Sequence, residues 1–326
     1  MKATIEKLLE TGKGLLAADE SVHTATKRLA DVGVESTEET RRQYRNLFLS
    51  APNIEEYTSG VILFEETFSQ KDNSGTDFPA LLAQKEILSG IRVDESTAEM
   101  AGFEGEVITR GLDTLAKDLL VFKKQGAVFT KWRAVFEISD DTPTREAVEI
   151  NSVLLAQYAR MVQNVGMLPI LEPEVLLTGD HDLQQAQEVT TKVLQMMFDT
   201  LAEYRVDLAN IILKSSMVIP GSTSIIDATA KEIAYATVQT LMATVPANVP
   251  GVVFLSGGQT SEEAIENLNE IAKLGPFPWK ITFSYARALQ GGPLKVWQGK
   301  DENIEQAQHL FIETLKKASL AQQGLL

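Results

Sequence analysis

The sequence contains no cysteine, so disulfide bridges, thiolate metal sites and a cysteine nucleophile are all excluded. It has only three histidines, His23, His181 and His309, and their spacing fits no zinc site. No stretch approaches the roughly 20 apolar residues of a membrane span, and the N-terminal segment lacks the unbroken apolar run of a signal peptide. We therefore expect a cytoplasmic protein without a metal, a cofactor or a membrane partner.

Positive charge is also scarce. The chain has 30 Lys and Arg against 45 Asp and Glu, which gives a formal net charge of −15 at pH 7. An acidic surface repels nucleic acid and anionic membranes, so neither is expected as a partner. It repels phosphorylated metabolites as well, so a site for them needs a local cluster of basic side chains.

The sequence does contain a repeated alternation of short apolar runs and longer amphipathic segments. Near-continuous apolar runs of this length are typical of parallel strands that are covered on both faces. The runs occupy residues 14–19, 60–64, 90–94, 126–133, 166–174, 208–214, 251–258 and 280–287. Eight such units predict an α/β fold, a closed (β/α)8 TIM barrel of eight parallel strands with an extra N-terminal helix.

The length of the chain agrees with one such barrel and some additions. A barrel of this type needs about 250 residues, and the surplus is assigned to the N-terminal helix and to a helical segment at 37–50. No linker or low-complexity stretch interrupts the pattern, so residues 1–326 are expected to form a single domain. The alternative is an open doubly wound sheet, but TGKGLLAAD (11–19) does not supply the dinucleotide turn that this fold requires.

Ionisable or phosphate-binding residues stand at the ends of most apolar runs, where the chemistry of such barrels takes place. Side chains two residues apart on a strand share a face. Because burying unpaired charge costs roughly several kcal/mol per group, these residues must neutralise one another or a ligand. They are Asp19, Arg92 and Asp94, Lys131 and Arg133, Glu172 and Glu174, Lys214, Ser256–Gly258, Ser284 and Arg287.

Lys214 ends an apolar run, which is an unusual place for an ammonium group. Burial and a neighbouring cation both favour the neutral amine of a lysine, and a neutral amine forms a Schiff base with a carbonyl. Lys131 is the candidate cation, and Asp19, Glu172 and Glu174 are available for proton transfer. Taken alone, a lysine at a strand end is more often a salt-bridged or snorkelling side chain.

The segment FLSGGQTSEEA (254–264) has the composition of a phosphate site. Ser256, Gly257 and Gly258 precede a helix N-terminus, where free backbone N–H groups attract an anion. The region after strands seven and eight is the usual phosphate site of these barrels. Arg287 is placed to add a bidentate charge.

Eight segments occur in an order that closely resembles class I fructose-bisphosphate aldolase, the Schiff-base type, over nearly the whole chain. The resemblance implies reversible aldol cleavage of fructose 1,6-bisphosphate to dihydroxyacetone phosphate and glyceraldehyde 3-phosphate in glycolysis and gluconeogenesis. Phosphorylated sugars are then the partners, and a homo-oligomer is expected because the family is commonly tetrameric. The segments are GKGLLAADES, GVILFEET, FTKWR, LPILEPEVLLTGDHDL, LKSSMVIPG, FLSGGQTSEEA, ITFSYARALQ and SLAQQG.

The resemblance also implies a role for each matched residue. Lys214 resembles the Schiff-base lysine, Glu172 the acid/base of carbinolamine formation and dehydration, and Asp19 the carboxylate that takes the C4-hydroxyl proton. Lys131 and Glu174 resemble their electrostatic partners. One phosphate is expected on Ser256, Gly257, Ser284 and Arg287, and the other near Ser21, Thr24, Lys27, Arg28 and Arg133.

Three departures from the family pattern are visible. Arg92 replaces a lysine of the animal members, which keeps the charge and changes its geometry, and Thr24 replaces a serine. Those members also carry a C-terminal tyrosine that moves a proton on the enamine carbon, and QQGLL ends this sequence without one. Either another group performs that step or the step is slow. Lys27 and Arg28 are equally consistent with solvated surface charges.

Two alternative functions remain open at this stage. One is another Schiff-base enzyme, either a phosphosugar lyase or a transaldolase-like enzyme, although two basic sites favour a substrate with two phosphates. The other is a non-enzymatic phosphosugar-binding scaffold, which predicts the loss of Asp19, Glu172 or Lys214. All three residues are present.

Overall fold

Eight parallel strands close into a barrel, as the sequence predicts. The computed structural model describes residues 1–326. The barrel runs in the spatial order β1-β10-β9-β8-β7-β6-β3-β2, and β4 and β5 form a separate antiparallel pair. The strands are β1 (Gly14–Ala18), β2 (Thr58–Leu63), β3 (Leu88–Arg92), β4 (Thr97–Glu99), β5 (Val107–Thr109), β6 (Phe129–Phe136), β7 (Leu168–Val175), β8 (Ile212–Ser215), β9 (Gly251–Phe254) and β10 (Lys280–Tyr285).

Twelve α-helices surround or extend the barrel, and none of them has both the length and the apolar character needed to cross a membrane. Short 3-10 helices lie at Ile54–Glu56, Leu208–Asn210 and Asp301–Asn303. The α-helices are α1 (Lys2–Leu8), α2 (Val22–Ala30), α3 (Glu38–Leu49), α4 (Glu65–Phe68), α5 (Phe78–Gln84), α6 (Leu112–Lys124), α7 (Arg145–Asn164), α8 (Leu183–Glu203), α9 (Ala230–Thr244), α10 (Ser261–Lys273), α11 (Arg287–Trp297) and α12 (Ile304–Gln322).

The structure differs from the sequence pattern at the edges of several elements. The run 208–214 begins with a 3-10 turn that Asp207 caps, and β8 starts only at Ile212. The run 251–258 remains a strand only to Phe254, so its last four residues form a loop. The hairpin of β4 and β5 was not anticipated, because strands of three residues carry too little periodicity to be recognised.

Inward-facing positions of the barrel change from apolar to charged along β7 and β8. On β8, Ile212 belongs to an apolar cluster inside the barrel, whereas Leu213 packs outward against the helices. Lys214 is two residues beyond Ile212 and therefore faces inward again. On β7, Ile170 and Glu172 repeat this order. The charged residues consequently stand on an apolar floor, which excludes water from below.

Helix α1 completes this floor at the N-terminal end of the barrel. Leu8 and Leu9 are buried in the internal cluster, where they pack with Phe129 of β6. The ring of Phe129 also fills the space above Gly90 of β3. A Cβ atom on Gly90 would lie 2.1 Å from Cε2 of that ring. Glycine is therefore required at this position by close packing.

We expect Gly90→Ala to destabilise the protein by about 1–3 kcal/mol, because the added methyl group overpacks a filled core. The free energy of unfolding from urea titrations measures this effect. Gly292→Ala is the matched control, since a Cβ atom there would meet nothing closer than Leu310 Cδ2 at 3.5 Å. In helix α11 this control should be neutral or stabilising by up to about 1 kcal/mol. Equal stability of the two variants would contradict the packing argument.

Candidate active site

A cavity of about 530 Å³ opens at the carboxyl ends of the barrel strands. This is the end at which the sequence predicts the chemistry. The residues that line the cavity are largely polar or charged, in contrast to the apolar floor below them. Among them are Asp19, Glu20, Thr24, Arg28, Arg92, Lys131, Arg133, Glu172, Glu174, Lys214, Ser256, Gly257, Gly258, Ser284 and Arg287.

Four buried side chains at the base of the cavity form a continuous chain of alternating charge. Lys131 Nζ lies 2.7 Å from Asp19 Oδ2 and 2.9 Å from Glu172 Oε2. The other oxygen of this glutamate, Oε1, lies 2.9 Å from Lys214 Nζ. None of the four residues is more than 8% exposed. Two carboxylates and two ammonium groups thus balance one another out of contact with bulk water.

The mutual pairing determines which of these groups stay charged. Burial by itself would raise the pKa of Asp19, but Lys131 and Lys214 outweigh it and hold that pKa well below its usual range. Burial also opposes ionisation of Glu172, and the same two lysines lower its pKa. Burial would lower the pKa of Lys131, yet Asp19 and Glu172 raise it above its ordinary value. Lys131 is therefore a permanent cation beside Lys214.

A second ion pair lies nearer the mouth of the cavity. Arg133 Nε donates to Glu174 Oε2, and the Arg133 side chain is 39% exposed. Both residues stand two positions beyond Lys131 and Glu172 on β6 and β7, so they face the same way. The guanidinium is accessible to an anionic ligand, because part of it still faces the opening.

One wall of the cavity has the features of a phosphate cradle. Gly257 and Gly258 have φ values of 57° and 100°, which turn the backbone towards the start of α10. Ser284 Oγ is buried and has no hydrogen-bond partner. A buried hydroxyl that is unpaired is costly, and a phosphate oxygen would satisfy it. Ser256 and Arg287 line the same wall, as the sequence predicts.

The opposite wall contains only some of the residues that the sequence predicts for the second phosphate. Thr24 and Arg28 line the cavity, because residues four apart on α2 share a face. Ser21 does not line it; its Oγ accepts a hydrogen bond from Thr24 N at 3.3 Å and caps the helix. Lys27 is exposed to solvent outside the cavity. The structure therefore does not bring Ser21 and Lys27 to the ligand space.

Arg92 lies at the edge of the cavity with several of its groups already engaged. Its Nη1 donates to the carbonyl oxygen of Asp19 at 3.1 Å, and its Nε lies 3.5 Å from Asp94 Oδ1. The guanidinium also packs over the ring of Phe64, 5.0 Å from its centroid. Such stacking suits arginine better than lysine. The contact with Phe64 therefore accommodates the arginine that stands here in place of lysine.

Sequence reasoning missed the carboxylate of Glu20 and gave no role to that of Asp94, and both belong to this region. Glu20 lines the cavity and is buried, and its only sequence signal is its place beside Asp19 at a strand end. Asp94 was noted at a strand end without a role, and its Oδ2 lies 4.0 Å from Lys131 Nζ. No group of three or more side chains has the arrangement of a metal site.

Lowered carboxyl pKa values have a consequence for stability. The unfolded chain binds more protons than the folded one between the lowered pKa of Asp19 and the ordinary value near 4. The free energy of unfolding must therefore fall as the pH falls through this interval. The acid limb is the part of the plot of unfolding free energy against pH that covers this interval. We expect Asp19→Asn to reduce its slope by up to about 1.4 kcal/mol per pH unit. Urea titrations at stepped pH measure it.

The matched control for this experiment is Asp140→Asn, which removes an exposed carboxylate in a loop. It should leave the slope of the acid limb unchanged. An acid limb of Asp19→Asn as steep as that of the unaltered protein would show that the buried pairing does not act as described.

The comparisons with known proteins agree with this geometry. All of residues 1–326 match the sequence model of the family described as fructose-bisphosphate aldolase class-I. The chain is 48% identical over 321 residues to fructose-bisphosphate aldolase B of Gallus gallus, covering 98% of this chain and 88% of that protein. It is 45% identical over 330 residues to a probable fructose-bisphosphate aldolase class 1 of Xanthomonas campestris, covering 98% of each.

A solved structure is similar as well. The fructose-bisphosphate aldolase of Plasmodium falciparum superimposes with a TM-score of 0.97 at 42% sequence identity. The match covers 99% of this chain and 93% of that one. Full-length agreement in sequence and fold leads to one assignment. The chain belongs to the class I fructose-bisphosphate aldolases.

Proposed function

We propose that Lys214 forms the Schiff base through which this chain cleaves fructose 1,6-bisphosphate to dihydroxyacetone phosphate and glyceraldehyde 3-phosphate. Class I fructose-bisphosphate aldolase activity in glycolysis follows from the family to which the chain belongs. One observation carries the residue assignment. Lys214 Nζ is buried and lies 2.9 Å from a carboxylate whose other oxygen is occupied by Lys131. We further propose that residues 1–326 act as a single domain in the cytoplasm.

Formation of the imine uses Lys214 and Glu172 together. The ammonium form of Lys214 gives a proton to Glu172 Oε1, and the lone pair of the resulting amine attacks the C2 carbonyl of the sugar. A second proton then passes from the nitrogen to the new C2 alkoxide, which gives the neutral carbinolamine. Glu172 then returns a proton to the C2 hydroxyl, which leaves as water and yields the iminium ion. Lys131 stays positive throughout and stabilises the carboxylate form of Glu172 between these steps.

Cleavage of the carbon–carbon bond uses Asp19. This carboxylate takes the proton of the C4 hydroxyl, the C3–C4 bond breaks, and its electron pair moves into the iminium to give an enamine. Glyceraldehyde 3-phosphate leaves with the new C4 carbonyl. Protonation of the enamine at C3 and hydrolysis of the imine then release dihydroxyacetone phosphate, and Glu172 again handles the protons of the hydrolysis. Glu174 supports the site by pairing with Arg133.

The two phosphates are assigned to opposite walls of the cavity. β8 neighbours β9, so the C1 phosphate next to the imine lies towards Ser256, Gly257, Ser284 and Arg287. Asp19 follows β1 and handles C4, so the C6 phosphate lies towards the wall that begins after β1. The residues available on that wall are Thr24, Arg28, Arg92 and Arg133. We leave Lys27 out of this assignment, and Ser21 contributes as the cap of α2.

The first prediction from this mechanism concerns the site of the covalent adduct. Borohydride reduction in the presence of dihydroxyacetone phosphate should attach the sugar to Lys214 and to no other lysine. Peptide mass spectrometry locates the adduct. Lys214→Met should form none and should lose cleavage by a factor on the order of 10³ or more. Lys131→Met is the informative comparison, because it keeps the nucleophile and removes its cationic neighbour. Adduct formation on another lysine would contradict the assignment.

The second prediction separates the two carboxylates by step. Glu172→Gln should slow trapping of the imine and steady-state cleavage alike, by a factor of about 10²–10⁴, because proton transfer to and from the carbinolamine is lost. Asp19→Asn should still form the trapped adduct with the bisphosphate while cleavage falls by a similar factor. Rapid-quench measurement of both steps distinguishes them. Equal loss of trapping in both variants would show that Asp19 does not act at C4.

A further inference from the structure

Another buried carboxylate that lines the cavity, Glu20, has two guanidinium partners. Arg28 Nη1 donates to Glu20 Oε1, and Arg45 Nη1 donates to Glu20 Oε2. Arg45 Nη2 also donates to the backbone carbonyl oxygen of Glu20 at 2.8 Å. Glu20 is 6% exposed, so the carboxylate depends on these two arginines for compensation of its charge.

The two arginines differ in their access to the ligand space. Arg28 lines the cavity, and 19% of its side chain is exposed. Arg45 projects from α3, does not line the cavity, and has only 4% of its side chain exposed. One partner of Glu20 can therefore meet a substrate phosphate, and the other cannot.

A network of neutral groups completes the surroundings of Arg28. Its Nη1 donates to Gln290 Oε1 at 2.7 Å and lies 3.1 Å from Tyr44 Oη. Gln290 Nε2 donates in turn to the carbonyl oxygen of Ala17 on β1 at 3.2 Å. Burial and Glu20 raise the pKa of Tyr44 to about 12, so Tyr44 stays a neutral donor. The network joins α2, α3, α11 and β1 around one guanidinium.

Binding of a phosphate by Arg28 creates a conflict in this network. A phosphate that binds this guanidinium competes with Glu20 for the same positive charge, and a buried carboxylate that loses its cationic compensation is strongly disfavoured. Burial would raise the pKa of Glu20, yet Arg28 and Arg45 together keep it lowered. With Arg45 in place, Glu20 retains one full ion pair while Arg28 is engaged elsewhere.

We propose that Arg45 is a positioning residue, the standing counter-ion of Glu20 that releases Arg28 to bind the C6 phosphate. The inference rests on the proposed role of Arg28 at that phosphate. Arg45 acts at a distance, through Glu20, and touches no part of the substrate. Its removal leaves Arg28 as the only cation for a buried carboxylate, so phosphate must compete against that pair.

The experiment compares two substrates that differ in one phosphate. Arg45→Met should raise KM for fructose 1,6-bisphosphate about tenfold and change kcat by less than about twofold. For fructose 1-phosphate, which lacks the C6 phosphate, both constants should stay within about twofold of the unaltered protein. Arg45→Lys keeps a cation without the fork geometry, so its KM for the bisphosphate should lie between those of Arg45→Met and the unaltered protein.

Two controls make the outcome decisive. Arg41→Met removes another arginine of α3, whose Nε pairs with both oxygens of Glu66 at 3.1 and 3.0 Å away from the cavity, and it should leave both substrates unaffected. Arg28→Met tests the phosphate assignment directly and should raise KM for the bisphosphate at least about tenfold. Thermal unfolding of every variant shows whether the fold is intact.

The possible results separate the two levels of the argument. If Arg28→Met raises KM for the bisphosphate and Arg45→Met does not, the positioning role is overturned and the proposed function stands. If Arg28→Met has no effect, the phosphate assignment is wrong and the role of Arg45 fails with it. Equal losses for both substrates in Arg45→Met would mark a general structural role and overturn the proposal. Should Arg45→Met fail to fold, Arg45→Lys decides, because its KM must rise for the bisphosphate alone.

Discussion

One carboxylate shared by two ammonium groups organises the site. Glu172 places one oxygen on Lys131 and the other on Lys214, and Asp19 closes the far side of Lys131. In a dry environment each charge is tolerated only through its partners. The arrangement keeps Lys131 charged and Glu172 within proton-transfer distance of Lys214, the proposed nucleophile. The chemistry of imine formation therefore depends on a charge balance that exists before substrate arrives.

The barrel makes such a charge balance possible because one layer of its inward side chains is apolar and the next layer is charged. Ile212 and Lys214 occupy successive inward positions of β8, and Ile170 and Glu172 do the same on β7. Leu8 and Leu9, at the end of α1, close the opposite end. Close packing of Phe129 into the floor removes space for water, so the charged layer meets solvent only through the cavity. The same strands thus supply both the apolar layer that stabilises the barrel and the charged residues of the site.

Glu20 resembles Glu172 in its ionic surroundings. Each of these buried carboxylates has two cationic partners. Lys131 and Lys214 both line the cavity beside Glu172, whereas at Glu20 only Arg28 lines it and Arg45 is withdrawn. In the role proposed for Arg45, this second cation lets Arg28 change its contacts without leaving the Glu20 carboxylate unpaired. Buried, paired carboxylates are thus proposed to serve both imine formation at C2 and recognition of the phosphate at the other end of the sugar.

Local pattern in the sequence was enough to predict the eight strands, their parallel closure and the location of Lys131, Glu172 and Lys214 on three of them, although Lys131 and Glu172 lie within β6 and β7 rather than at their ends. These follow from residue periodicity, which decides burial and direction within one element. Only the tertiary structure decided that Arg28 enters the cavity while Lys27 does not, and that Glu20 has two arginines as partners. Arg28 and Gln290 are separated by 262 positions along the chain. Contacts between such distant residues depend on how helices seat on the barrel, which no local periodicity encodes.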